Sequence, residues 1–140
     1  MKPTDLQDIT FSDKPFFIPF QKNLIDEIGF EHWIIDNLKI KNKFFERIYF
    51  LKSKEKTIRG NHAHLNQFQI LILVSGVASL VLSDKSGTLT NWDLETAPVF
   101  IPENHWIELY MGENSNVLCL ASSSYKDLKT LRDKNEFLLK

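Results

Sequence analysis

The sequence predicts an all-β sandwich or barrel. Short runs of β-branched and aromatic residues recur along most of the chain. Compact groups of Gly, Ser, Asn and Asp separate them at the spacing of successive strands and turns. No repeat, low-complexity tract or Pro/Gly/Ser linker divides the 140 residues, and eleven phenylalanines suit a β core. One domain over 1–140 is expected, with a barrel over about 16–122 and a helix or tail over 123–140.

Phe16–Phe20 is apolar but interrupted by Pro15 and Pro19, which suits a short edge strand, since proline cannot donate to a ladder. Leu24–Ile28 and Trp33–Ile35 read as two further short strands divided at Gly29. A helix over Leu24–Leu38 competes with them, and periodicity does not choose. Phe44–Leu51 is β-branched and aromatic without a breaker. Ile70–Val74 and Val77–Leu82 are two strands joined at Ser75-Gly76. Asp84–Gly87 is a turn leading into Thr88–Trp92. Ala97–Ile101 stops at Pro102, and Trp106–Tyr110 and Val117–Ala121 close the series around a turn at Gly112–Ser115. Beyond Ser122-Ser123-Ser124, which offer N-cap choices, Leu128, Leu131, Phe137 and Leu138 fit a terminal amphipathic helix.

Composition removes several functional classes. A charged fraction of 25% and 43% hydrophobic residues exclude global disorder. A net charge of −1 argues against nucleic-acid or membrane-surface binding. The longest apolar run, Ile70–Val74, is far short of a bilayer span, and Met1–Thr10 has no secretory pattern, so a cytoplasmic protein is expected. Cys119 is the one cysteine, in an apolar run, so no internal disulfide or cysteine metal cluster can form.

The chemistry concentrates in Arg59-Gly60-Asn61-His62-Ala63-His64. In an extended segment, residues i and i+2 face the same way, so both imidazoles share a face. Gly60 permits a close backbone approach, and Arg59 can hold an anion. A bare His-x-His is equally compatible with hydrogen-bonded structural histidines. Gln69 and Gly76 follow at a spacing that resembles the first cupin motif, in which metal-binding members carry Glu where this chain has Gln69. The resemblance implies a jelly-roll β-barrel with a short C-terminal helix. Their second motif supplies a histidine five residues after a proline, and that position is Ile107. Two of four expected ligands are thus missing or weakened, so no metal is expected.

A narrower resemblance fits better. The Arg-Gly-x-His-Ala-His signature is similar to that of sugar-nucleotide 3,4-ketoisomerases, grouped with the WxcM-like C-terminal domains. Arg47-Ile48-Tyr49-Phe50, Pro102 with Trp106-x-Glu108, Leu120-Ala121-Ser122 with Tyr125, and Arg132-Asp133 with Glu136-Phe137-Leu138 resemble the family's flanking segments in order. The resemblance implies a cofactor-free isomerase acting on a dTDP-linked 4-keto-6-deoxy sugar, commonly as a homodimer. On that reading His62 and His64 transfer protons and Tyr49 donates to the enolate oxygen. Arg47 and Arg59 are candidates for the diphosphate, with Gln69, Trp106 and Glu108 completing the substrate site. Three departures stand beside it: Asp26-Glu27-Ile28-Gly29 lacks the family's basic residue, Ile107 stands where histidine or arginine is common, and the tail reads Lys129-Thr130-Leu131-Arg132-Asp133-Lys134. The rivals are a non-catalytic sugar-nucleotide-binding cupin and a metal-dependent cupin.

Overall fold

The computed structural model describes residues 13–22, 33–35 and 45–139. In chain order the strands are β1 (Phe16–Phe17), β2 (Gln21–Lys22), β3 (Trp33–Ile34), β4 (Arg47–Lys52), β5 (Thr57–His64), β6 (Gln69–Ser75), β7 (Ala78–Ser83), β8 (Leu89–Asp93), β9 (Val99–Ile101), β10 (His105–Met111), β11 (Asn116–Ala121) and β12 (Thr130–Leu131), followed by helix α1 (Lys134–Leu139). Two antiparallel five-stranded sheets form the body, in the orders β1-β9-β6-β11-β4 and β12-β5-β10-β7-β8, and β2 pairs with β3 apart from them. This is the expected jelly-roll barrel with a short terminal helix. The expected strands at Phe16–Phe20 and Trp33–Ile35 are present in shortened form, whereas Leu24–Ile28 and Asp26–Gly29 lie outside the described residues.

Period-2 alternation builds the core. Ile107, Leu109 and Met111 of β10 point between the sheets, as do Leu80 and Leu82 of β7 and Val117 and Cys119 of β11. Leu80, Leu82, Val99 and Val117 are completely buried, each worth about 1.5–3 kcal/mol of transfer free energy. A second cluster, Ile18, Phe68, Ile70 and Phe100, covers the outer side of the first sheet. A third, Ala63, Trp106 and Phe137, seats α1 on the outer side of the second.

Ser75-Gly76 joins two strands as expected, and the two belong to different sheets. It carries the chain from β6 in the first sheet to β7 in the second, with Gly76 at φ +83° and packed against Ser115. The terminal helix starts at Lys134, not near Ser122–Ser124. Its cap is Asp133, whose Oδ1 accepts from the backbone N–H of Asn135 (2.9 Å) and Glu136 (3.2 Å). The serines are engaged elsewhere: Ser122 Oγ accepts from Phe68 N–H, Ser123 donates to Gln67, and Ser124 donates to Asp127.

Candidate active site

Among the described residues β4 is the edge strand of one sheet and β5 lies next to the edge of the other, and Arg47 of β4 acts on His64 of β5. β5 brings His62 and His64 side by side, with ring centroids 4.3 Å apart. The shared face predicted from their i, i+2 spacing is therefore present. Its position depends on a bulge. His62 pairs with Ile107, but the next pair is Gly60 with Glu108, so Asn61 is an extra residue in β5. Both Gly60 (φ +89°) and Asn61 (φ +53°) are left-handed. A Cβ on Gly60 would stand 2.7 Å from the Ile107 carbonyl oxygen, so the strand approaches β10 this closely only with glycine there.

β4 supplies the opposing groups. Arg47, Tyr49 and Leu51 alternate inward, while Ile48, Phe50 and Lys52 alternate outward. Gln69 Nε2 donates to the Tyr49 hydroxyl oxygen at 2.8 Å. The same hydroxyl touches Cys119, whose thiol is a weak acceptor, so its proton remains available to a stronger one. Arg47 Nη2 donates to Gln67 Oε1 at 3.2 Å, and Ser123 Oγ donates to that same oxygen at 2.9 Å. The guanidinium carbon lies 4.9 Å from the Tyr49 ring centroid and 5.4 Å from that of Tyr125. Arg47 is thus held between two aromatic faces by a buried amide.

The electrostatics are set by burial and by two nearby guanidiniums. Burial pushes His64 down to about 3, and His62, Arg47 and Arg132 act in the same direction. Burial and then Arg132 hold His62 below its ordinary value, against the nearby Gly60 backbone, which favours the protonated ring. Both imidazoles are neutral at pH 7. Burial raises the Tyr49 phenol, with Cys119 adding to it and Arg47 and Gln69 opposing. It pushes the Cys119 thiol up to about 12. Among the described residues, Arg47 Nε, His62 Nδ1, Gln67 Nε2 and, on the other face of β10, Trp106 Nε1 are buried without a hydrogen-bond partner. Unpaired nitrogens on Arg47 and His62 are what a polar ligand would satisfy.

His62, His64, Tyr49, Gln69 and Arg47 are therefore brought together. Trp106 and Glu108 are not. They alternate with the inward Ile107 and lie on the opposite face of β10, where Trp106 packs on Phe137 at 6.1 Å and Glu108 accepts from Tyr110 at 3.4 Å. Arg59 pairs across the ladder with Leu109 and opens into a separate basic cleft of about 670 Å³ with Lys52, Lys54 and Lys56. The second guanidinium near the histidines is instead Arg132, beyond β12. The sequence reading passed over Arg132, Thr130 and Gln67 as site residues. Gln67 and Thr130 reach the site from segments without strong periodicity, and only the Arg132-Asp133 pair in the tail signalled that this stretch belonged there. Among the described residues no three His, Cys, Asp or Glu side chains come together as a metal site, and buried Ile107 faces the same side as His62.

Comparison with known proteins places this geometry. The family described as WxcM-like, C-terminal (FdtA) matches residues 8–140. The chain belongs to that family. Among solved structures, a 3,4-ketoisomerase from Helicobacter canadensis is 26% identical, with a TM-score of 0.71 over 89% of this chain and 95% of that one. The TDP-quinovose 3,4-ketoisomerase WlaRB from Campylobacter jejuni is 24% identical, with a TM-score of 0.76 over 92% and 100%. QdtA, a sugar 3,4-ketoisomerase from Thermoanaerobacterium thermosaccharolyticum solved with TDP, is 20% identical, with a TM-score of 0.70 over 89% and 91%. No curated protein sequence matches significantly.

Proposed function

We propose that this FdtA-family protein is a sugar-nucleotide 3,4-ketoisomerase that converts a dTDP-4-keto-6-deoxyhexose to its 3-keto isomer. The observation that carries the reading is the adjacent pair of neutral imidazoles, His64 buried and His62 half-buried, with Arg47, which packs on Tyr49, acting on His64. One imidazole takes the C3 proton. The C–H electron pair forms the C3=C4 bond, and negative charge moves to O4. The Tyr49 hydroxyl, kept protonated by its raised pKa and oriented by Gln69, donates to that oxygen. A proton then returns to C4 while the O3 proton leaves, so the ketone stands at C3 and proton number is unchanged. Arg47 and Arg132 receive the diphosphate. None of these steps calls on a redox cofactor.

We read the whole chain as one catalytic domain working in the cytoplasm as a homodimer. Among the described residues β4 is the edge of its sheet, and it exposes Ile48 (63%) and Phe50 (59%) between Glu46 and Lys52. An antiparallel copy of the strand centred on Tyr49 would set Ile48 against Phe50 and Glu46 against Lys52.

The test is to incubate metal-stripped protein with dTDP-4-keto-6-deoxyglucose in heavy water and follow the sugar protons by NMR. Exchange at C3 together with a shifted ketone is expected. Nucleotide binding without exchange would overturn the enzyme reading in favour of a sugar-nucleotide-binding protein. Turnover only after metal is restored would overturn the metal-free chemistry.

A further inference from the structure

The short strand β12 makes few contacts for its place in the fold, yet one of them reaches the centre of the site. Thr130 pairs with His64 across the β12–β5 ladder, and its Oγ1 lies 3.1 Å from His64 Nδ1. The next residue, Leu131, pairs with Ala63 and turns outward onto the Trp106–Phe137 cluster. Alternation thus fixes Thr130 on the histidine face, and the α1 packing behind Leu131 fixes the strand. Two further tertiary hydrogen bonds anchor the approach to β12. Lys129 N–H donates to Asn66 Oδ1 at 2.8 Å, and Leu65 N–H donates to the Lys129 carbonyl at 3.0 Å. His64 is buried, so its Nδ1 has little access to water as an alternative partner.

We infer that Thr130 is the positioning residue that commits His64 Nδ1 to the protein and leaves Nε2 as the atom that exchanges protons. A hydroxyl is suited to this task because it both donates and accepts. With His64 Nδ1 protonated, Thr130 Oγ1 accepts and Nε2 is a free base. When Nε2 takes a proton the ring becomes an imidazolium that keeps its Nδ1–H on Thr130 Oγ1, and Nε2 can give that proton back. The imidazole can therefore change from base to acid without turning its ring. His62 has no such partner: its Nδ1 is buried and unpaired. The two histidines are chemically unequal in spite of their common face: His64 Nδ1 is fixed on Thr130, and His62 Nδ1 has no side-chain anchor. This inference deepens the isomerase reading and rests on it for its kinetic part.

The experiment compares wild type with Thr130→Val and Thr130→Ser in protein carrying ¹⁵N-histidine. Valine preserves the β-branched shape and strand preference while removing the hydroxyl, and serine restores the hydroxyl. In wild type the His64 nitrogens should give separated long-range ¹⁵N signals governed by the Thr130 bond. In Thr130→Val they should move towards a tautomer-averaged pattern, with wild-type behaviour returning in Thr130→Ser. Turnover of the keto sugar should fall about tenfold or more in Thr130→Val with KM nearly unchanged, as expected for a group acting on proton transfer, and recover in Thr130→Ser. An unchanged tautomer pattern in a folded Thr130→Val protein overturns the inference, whatever the rate. A changed pattern in a protein whose wild type turns over no keto sugar upholds the anchoring and overturns the isomerase reading. If Thr130→Val fails to fold, Thr130→Ala takes its place with the same spectral criterion.

Discussion

The buried histidines make stability depend on pH in a way that can be calculated. His64 moves from an ordinary value of 6.5 in the unfolded chain to about 3 in the folded one. Below the higher value the unfolded state binds a proton that the native state refuses, so stability falls as pH falls from about 6.5 and levels off near 3. Over that window the slope approaches ~1.4 kcal/mol per pH unit. Evaluating both titrations between about pH 7 and about pH 5 gives a loss of about 2 kcal/mol from His64 alone. Carboxylates contribute little difference across that interval, since they ionise lower. The perturbation is His64→Asn, which keeps a polar group beside Thr130 and removes the titration. Urea unfolding of both proteins at the two pH values, read at constant m-value, isolates the histidine. Wild type should lose about 2 kcal/mol more than the variant on acidification. Equal losses in the two proteins would mean that His64 titrates normally in the fold, and the burial of its ring beside Arg47 and Arg132 would be refuted with it.

Other outcomes follow from single contacts. Gly60→Ala should destabilise the fold by about 3 kcal/mol, since a side chain at φ +89° is strained and its Cβ meets the Ile107 carbonyl at 2.7 Å; a thermal melt within a degree or two of wild type would contradict the bulge geometry. Tyr49→Phe should lower turnover roughly a hundredfold while calorimetric binding of TDP stays the same, because the lost hydroxyl acts on the enolate and not on the nucleotide. Arg47→Met should weaken TDP binding by about 10- to 100-fold through loss of charge-assisted hydrogen bonds, and light scattering should find Phe50→Asp monomeric if β4 is the dimer contact.

How far the sequence reaches into this structure can be seen strand by strand. Strong periodicity located the long strands β6, β7, β10 and β11 within a residue and β4 within three, because each buries one face on a common core. It also placed His62 with His64 and Arg47 with Tyr49, as an i, i+2 relation survives any register. It did not reveal which strands hydrogen-bond, so the crossing from β6 to β7 between sheets was hidden in a two-residue turn. The bulge at Asn61 was hidden as well: two successive left-handed residues interrupt the alternation and turn Arg59 to the Leu109 side. Other misses were avoidable. Once Ile107 occupies an inward motif position, alternation alone sends Trp106 and Glu108 to the other face. Asp133-Lys134-Asn135-Glu136 carries a helix-start pattern that competes well with the three serines. Gln67 and Thr130 had no comparable signal, since they act from a loop and a short terminal strand.

The arrangement of charge ties binding to chemistry. Arg47 and Arg132 both depress His64, and Arg132 depresses His62, so the free site holds its imidazoles in the basic form but makes them poor at keeping a proton. In the proposed reaction a diphosphate lands on those same guanidiniums. Its negative charge cancels the field that disfavours an imidazolium, so the histidine pKa values must rise on binding by linkage. The base would then gain strength only once substrate is in place, and the imidazolium formed by taking the C3 proton would be stabilised for its return at C4. Titrating the ¹⁵N-histidine signals with and without TDP measures this directly. An upward shift of both histidines is expected, larger for His64, on which two arginines act. A shift absent in a TDP-saturated protein would place the diphosphate elsewhere, with the basic cleft of Arg59 and the three lysines as the remaining site of sufficient charge.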